Sequence, residues 1–466
     1  MSAFVLTVAM SAAAAAQTID DALAQAYEYN PQIDAERARL RGTDEEVARA
    51  MSGYRPVITG QAEVSRTNTN VRPDSAGEGT NNPRSYAINL TQPIFRGFRT
   101  TNAVNVAEAE VRAGRERLRD IEQQVLLDAA TQFMNVVRDQ AVVRLNENNV
   151  RVLSEELKAQ EDRFAVGDVT KTDVAQSEAR RAGAVADLDL ARANLKSSRA
   201  EYERVVGSPP AALVEPSLRE ASLPRSLDEA IEIGTQENPN IVAALYNEQA
   251  ARFQVDLIRG ELLPELSVEA QYTDTMDPSL FVREQEVGSV TGRMTVPIYE
   301  GGEVYARVRQ AKHLHVGRLQ DIETARVAIK SQVIGSWSQY QAQKARIVSA
   351  KAQVEANSTA LSGVREEERV GQRTVIEVLN AQQELLFSQV ELARTRRDLI
   401  VAAYTVQSTI GRLDAQSLGV TSLVYDPEQH YYEVRRKWWG LSITHDDGRR
   451  EFLDLWNSHG SQVEMK

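Results

Sequence analysis

The chain has no cysteine, which excludes structural disulfides and thiolate metal sites. Proline is scarce, with 14 in 466 residues, and aromatic residues make up only 6%. What fills the chain instead is Ala, Glu, Gln, Arg and Val. Most of these lose little on entering a helix, so a mainly α protein is expected. An excess of basic charge is also missing: the net charge is −12, which argues against phosphate-backbone binding and hence against a nucleic-acid partner. After the N-terminus no apolar run reaches the roughly 18–20 residues that a bilayer-spanning helix needs.

Signatures of catalysis are absent as well. The sequence contains no phosphate-binding or dinucleotide-binding glycine pattern. His313 and His315 stand two apart in a helical stretch, where they point in different directions and make poor metal partners. The abundant carboxylates read as solvated helix faces. No catalytic residue, metal site or cofactor is expected, and the protein is read as a non-enzyme.

Residues 1–16 carry a short apolar core from Phe4 to Met10, with Ala14 and Ala16 at the −3 and −1 positions before Gln17. This is the pattern of a cleaved export signal, with a frayed alanine-rich helix start as the alternative.

The remainder is written twice. "TIDDAL" at Thr18 returns as "SLDEAI" at Ser226, and "YNPQI" at Tyr29 as "ENPNI" at Glu237, both offset by 208 residues. Pro56 and Pro264 share that offset. Later matches are offset by 204: "QPIFRG" at Gln92 with "VPIYEG" at Val296, Gly167 with Gly371, and Gly207 with Gly411. A net loss of four residues between Pro264 and Pro297 accounts for the change. The expected organisation is a first repeat over 17–207, a linker over 208–225, a second repeat over 226–413 and a tail over 414–466.

Each repeat reads as a helix interrupted at its proline, a pair of short strands, and a long helical hairpin. Thr18 and Ser226, each followed three residues later by an acid, are helix-start signals. Alternation marks the strands. Leu266, Val268, Ala270 and Tyr272 interleave with polar residues, as do Val290, Gly292, Met294 and Val296, and in the first repeat Tyr86, Ile88 and Leu90. Segments of about ten such residues suit a sheet with one apolar face, and equally an outer-membrane barrel with lipid on one side and water on the other. Glu63 and Glu269 on the polar face are costly in a packed soluble core. The segments 68–85 and 274–288 read as long polar loops. From about Phe98 to Arg163, and again from Glu303 to Arg369, proline is absent and glycine rare. Roughly 65 helical residues would reach about 100 Å, which suits a coiled coil or helical barrel. In the second return helix Val378, Leu385, Leu392, Leu399 and Val406 recur every seven residues. The first retains Val174, Leu188, Leu195 and Tyr202, with Arg181 interrupting.

Four strands cannot close a barrel, and open strand edges are not tolerated in lipid. Several chains would have to share one barrel; three would supply twelve strands and leave a channel, though the physics permits other counts.

The order and repetition of these features resemble the TolC family of outer-membrane efflux proteins: the leader, the tandem halves, an early "NP" in each, "QPIFRG" and "VPIYEGG" after the strands, and "VG" at each hairpin turn. The resemblance spans about Thr18 to Leu413. It implies a homotrimer in the cell outer membrane with a shared twelve-stranded barrel and a long periplasmic helical barrel. It further implies a passive exit duct for efflux or type I secretion, opened through a periplasmic adaptor (membrane fusion) protein by an inner-membrane RND or ABC pump. By the same resemblance Val166, Gly167, Val370 and Gly371 are adaptor-docking tips. Glu377 and Asn380 would form constriction rings where the family carries two acids, with repulsion raising the pKa of some Glu377 carboxyls. Thr172, Asp173 and Arg373 would close the tip, with Arg373 and Asp173 pairing across helices. Glu368 stands where the family has a tyrosine, which puts part of that network in doubt or implies a more easily opened tip. A non-conducting periplasmic coiled-coil scaffold accounts for the helices but not for the duplicated strands. The tail, rich in tryptophan around Trp438 and Trp439, is expected to strap onto the helical barrel, with a membrane-surface anchor as the alternative.

Overall fold

A computed structural model describes residues 17–70, 78–217, 223–419 and 424–443. The segment 1–16 expected to be an export signal, part of the first polar loop, part of the expected inter-repeat linker and the end of the tail lie outside them. The chain divides into two compact units. One comprises Met1–Ala38, Arg115–Leu245 and Gln320–Tyr425; the other comprises Arg39–Gly114, Tyr246–Leu319 and Asp426–Lys466.

The duplication is visible in the elements. Helices α1 (Ile19–Tyr29) and α2 (Pro31–Met51) are followed by strands β1 (Val57–Val64), β2 (Thr67–Thr69), β3 (Gly79–Asn81) and β4 (Arg84–Arg96). Helix α3 (Arg99–Ala165) and helix α4 (Lys171–Val206) complete the first repeat. The second consists of α5 (Leu227–Glu237), α6 (Pro239–Arg259), β5 (Glu265–Ser279), β6 (Val282–Thr295), α7 (Glu303–Arg369) and α8 (Val375–Thr409). Helices α3 and α7 have 67 residues each. Two short helices, α9 (Ala415–Leu418) and α10 (Gln429–Arg435), follow.

In the first unit the repeated "NP" and the repeated glycine turn out to be partners. Asn30 caps α2 by accepting from the Gln32 amide at 2.9 Å, and its Nδ2 donates to the Val205 carbonyl at 2.9 Å. Asn238 does the same for α6, accepting from Asn240 at 2.9 Å and donating to the Thr409 carbonyl at 3.0 Å. Each asparagine thus satisfies one helix start and one helix end, groups that would otherwise be buried without partners. Gly411 follows at φ +87, and a Cβ there would sit 2.7 Å from the Glu237 carbonyl oxygen, so only glycine fits. Around this junction Ala230, Ile241, Val333, Tyr340, Val406 and Ile410 form one apolar cluster. Nearby, Glu122 of α3 accepts from the Ala415 amide at 2.7 Å, holding the first residue of α9. Burial, opposed by that hydrogen bond, pushes the Glu122 carboxyl up to about 7. Val327, Ile334 and Val348 lie at heptad positions of α7 yet are 69%, 39% and 68% exposed, an apolar stripe that nothing among the described residues covers.

The second unit is built on a four-stranded antiparallel sheet of order β1-β4-β5-β6. The register aligns Ile58, Leu90, Ala270 and Val290 in one row across all four strands, and Gln61, Ala87, Thr273 and Val287 in another. Alternation therefore yields an apolar face carrying Ile58, Ile88, Leu90, Val268 and Val290, and an opposite face carrying Glu63, Asn89, Glu269 and Gln271. On the polar face Arg293 grips Glu269 through two bonds of 2.9 and 3.0 Å, which compensates the acid the sequence flagged. Two sequence expectations are corrected here. The segment 274–288 is not a long loop, because β5 and β6 stay paired out to Ser279 and Val282: its paired residues are mostly polar, which hides a strand from a hydrophobicity pattern. The strand β6 also stops at Thr295, leaving Val296 outside.

At the helix-connected end of the sheet Gly97 and Gly260 touch: a Cβ on Gly97 would lie 2.1 Å from the Gly260 carbonyl oxygen. Beside them Arg96 and Arg99 converge on Glu265 at 3.1 and 2.7 Å. The α10 helix packs through Tyr431 onto Val47, Ala107 and Val111. The Tyr431 hydroxyl and Arg435 both donate to Glu108, at 3.2 and 3.0 Å.

Candidate functional site: the paired hairpin tips

Both hairpin turns, in the first unit, follow one construction. The α3 helix ends with Gly167 donating to the Phe164 carbonyl at 3.0 Å and Asp168 to the Arg163 carbonyl at 3.0 Å. At the end of α7, Gly371 donates to Glu368 at 2.9 Å and Gln372 to Glu367 at 2.8 Å. This bond pair closes a helix through a left-handed residue, and Gly167 and Gly371 have φ of +84 and +77. A Cβ on either would meet nothing, so glycine is required by backbone conformation alone. Val166 and Val370, just before the glycines, are 80% and 64% exposed.

Three residues after each glycine a threonine caps the return helix, and three residues later an acid completes the cap. Asp173 accepts from the Thr170 amide and hydroxyl at 2.9 and 2.6 Å. Glu377 accepts from the same groups of Thr374 at 2.8 and 3.1 Å. The Thr170 hydroxyl first, then its amide, holds the Asp173 carboxyl below its ordinary range. The Thr374 amide, then Arg373, does the same for Glu377. Asp173 and Glu377 are the same position in the two repeats. The sequence reading gave them different roles, a tip lock and a tunnel ring, and expected raised values for Glu377; within the chain both are capping acids with lowered ones.

Arg373 is also placed differently from expectation. It bonds Glu367 at 2.8 Å and Glu377 at 2.9 Å, both on its own hairpin, and the chain does not bring it to Asp173. Thr172 lies exposed in the first turn of α4. Glu368, which stands where the family's tyrosine was expected, is not a missing link: Arg163 of α3 bonds it at 2.7 Å, tying one hairpin to the other. A second tie runs between the return helices, where Arg180 donates to Asn380 at 2.8 Å and to Gln383. Leu153, Ala184, Val375 and Leu379 pack beneath. The sequence reading missed Arg163, Arg180 and Glu367. It also missed the caps at Thr170 and Thr374, although the same Thr-x-x-acid signal had been read at Thr18.

No group of three or more His, Asp or Glu side chains that would hold a metal ion occurs among the described residues. The assembled features are two exposed apolar tips, a polar network joining them, and a sheet with an apolar face.

Comparison with known proteins agrees with this architecture. The family model for outer membrane efflux proteins matches residues 22–208 and 231–412, one segment for each repeat. The chain is 37% identical over 446 residues to the outer membrane efflux protein BepC of Brucella suis, covering 95% of both chains. It is 24% identical over 424 residues to the outer membrane protein TolC of Vibrio cholerae, covering 88% of this chain and 94% of that one. Its fold is similar to the crystal structure of the Campylobacter jejuni CmeC outer membrane channel, with a TM-score of 0.76, 16% identity and coverage of 90% of this chain and 89% of that one. With both repeats matched and a relative of this identity covered nearly end to end, the chain belongs to the outer membrane efflux protein family, the TolC-like channels.

Proposed function

We propose that three copies of this chain close a twelve-stranded barrel in the outer membrane above a periplasmic helical tunnel, and that the assembly is a passive exit duct rather than an enzyme. One observation carries this reading: the four-stranded sheet has an apolar face across its whole width and ends on β1 and β6, each paired on one side only among the described residues. Open edges in lipid leave backbone groups unsatisfied at several kcal/mol each, so the edges must meet those of other copies. The exposed heptad stripe on α7 gives independent support, since it too needs an apolar neighbour.

In this reading an inner-membrane pump, of the RND or ABC type, drives transport and acts through a periplasmic adaptor. Val166, Gly167, Val370 and Gly371 form the surface the adaptor meets; exposed valines beside a rigid turn suit such docking. Glu377 and Asn380 line the constriction, and three-fold repetition makes rings of them. Arg373 and Arg180 accompany those rings, so the charge is largely compensated and cation preference is modest. Thr172, Asp173, Arg373 and Glu368 close the tip, with any Arg373–Asp173 pair formed between chains.

The test is single-channel recording in planar bilayers, combined with cysteine cross-linking in the naturally cysteine-free background. A cysteine at Gln61 of β1 is paired with cysteines stepped along β6. Small discrete current steps together with cross-linked trimers support the duct. Folded, inserted protein that neither conducts nor cross-links through these edges sinks it.

A further inference from the structure

The second unit carries an exposed tryptophan pair that the helical packing does not use. The tail is anchored up to α10, where Tyr431 and Val434 are buried. His430 adds a 3.0 Å contact to the buried Asp44. Immediately afterwards the packing stops. Trp438 is 64% exposed and Trp439 is 88% exposed within the chain, so the packing made by α10 does not extend to them. Leu441 and Ile443 are exposed as well.

This cluster is nonetheless held at a defined place. Arg55 donates to the Lys437 carbonyl at 2.8 Å and lies 4.8 Å from the Trp438 ring centre. Arg55 is two residues before β1 begins, so the pair is fixed at the helix-connected end of the sheet, where strand gives way to helix. The segments that connect strand to helix there are of the same kind: Ile298 is 92% exposed, Tyr299 77% and Phe98 61%. Arg436 is exposed beside the tryptophans, and Lys437 points its ammonium to the Ser442 carbonyl at 2.8 Å.

We infer that Trp438 and Trp439, with Arg436 and Lys437, form an interfacial anchor that inserts at the headgroup–acyl boundary of the leaflet bordering the helix-connected end of the barrel. Indole rings suit this boundary because one edge is apolar and the ring N–H is a donor. Cationic side chains beside them meet lipid phosphates. The pair sits at the helix-connected end of the same sheet whose apolar face is proposed to meet lipid, which is why lipid rather than another protein is taken as the occupant. The inference rests on the proposed membrane insertion of that sheet. Its consequence is mechanical: the tail ties α2 and α3 to the membrane surface, just where the strands turn into the long helices.

The test uses full-length protein with Trp337 and Trp456 replaced by phenylalanine, reconstituted into vesicles of phosphatidylethanolamine and phosphatidylglycerol with brominated acyl chains. An Ile88→Trp control, in a background where Trp438 and Trp439 are also phenylalanine, reports insertion of the sheet. Expected for the pair is a blue-shifted emission and loss of most of it to bromines near the headgroup, with a smaller loss to bromines deep in the chain. Quenching of the Ile88→Trp control without quenching of the pair overturns the anchor and leaves the barrel standing. In that case, protection of the pair from aqueous acrylamide would assign it to a contact between copies of the chain, and openness to acrylamide would mean it has no occupant. If the control also escapes bromine, the insertion reading fails and takes the anchor with it.

Discussion

Replacing Asn238 with alanine removes two things at once, and the geometry lets them be separated. The Asn238 side chain is almost wholly buried. Its Oδ1 caps α6 through Asn240, and its Nδ2 satisfies the Thr409 carbonyl in the last turn of α8. Losing the cap costs about 1 kcal/mol, and losing the buried hydrogen bond costs about another 1 kcal/mol. Together they amount to about 2 kcal/mol, or roughly a 30-fold fall in hydrogen-exchange protection at the junction of α6 and α8. Asn238→Asp keeps a good cap but cannot donate, so it should retain about half of that free energy at most. The assay is peptide-resolved hydrogen exchange on the reconstituted protein, comparing peptides over 239–245 and 404–411 with the tips as internal reference. Asn30→Ala should reproduce the effect at α2 and α4 while leaving the second repeat untouched. An Asn238→Asp variant as protected as the parent would refute the donor role, and an unaffected Asn238→Ala would refute the whole account of the duplicated "NP".

Burial is the main cause holding the folded Glu122 carboxyl at about 7, whereas an unfolded glutamate titrates near ~4.3. The unfolded state therefore loses its proton first as pH rises: stability conferred by Glu122 is complete below the unfolded value, falls through the window up to about 7 and is flat above it. The loss is at most about 4 kcal/mol. Glu122→Gln should flatten this slope in pH-dependent exchange at α9. Arg163→Ala should free Glu368 and loosen the link between hairpins by up to about 1 kcal/mol, read in bilayer recordings as more frequent or larger openings. Arg373→Ala should uncover the Glu377 carboxylate, raising cation preference in reversal-potential measurements, while Glu377→Gln lowers it; equal selectivity in both would remove Glu377 from the constriction.

Much of the architecture was legible because it is written as spacing. Proline-free stretches marked α3 and α7 to within about two residues, and the offsets of 208 and 204 paired each element with its counterpart. What spacing could not convey was that the two most conspicuous matches, "NP" early in each repeat and the glycine at its end, are in contact. Asn30 and Val205 are 175 residues apart, and no local rule joins them. The hairpin formed by β5 and β6 was read as too short for a complementary reason. Its distal half is mostly polar, as in Asp274 and Thr275 opposite Glu286 and Gln285, which a test for hydrophobic alternation cannot see, while the backbone ladder continues regardless of side-chain polarity.

The tips show where pattern and resemblance part company. A threonine three residues after a glycine, with an acid three residues later, is a complete physical instruction: reverse the helix, cap the next one, and satisfy the cap with a carboxylate. It occurs at both turns, so whatever is asked of Asp173 is locally asked of Glu377. Resemblance gave the two acids different tasks, and the caps do not exclude that, since a carboxylate that accepts from Thr374 and Arg373 still carries its charge at the start of α8. The cap does set the terms. Each carboxylate is held by its own chain before any three-fold ring forms, so repulsion within a ring works against a value already lowered, and Arg373 must be displaced before Glu377 can act as a bare charge. Specificity between the two tips then has to come from residues that differ at matching positions. The pair at 164 and 368 is such a case: an exposed Phe164 on one hairpin, and on the other Glu368 gripped by Arg163. At this position the ion pair runs from Arg163 to Glu368 and Phe164 cannot reciprocate it, and that asymmetry distinguishes two turns built to the same plan.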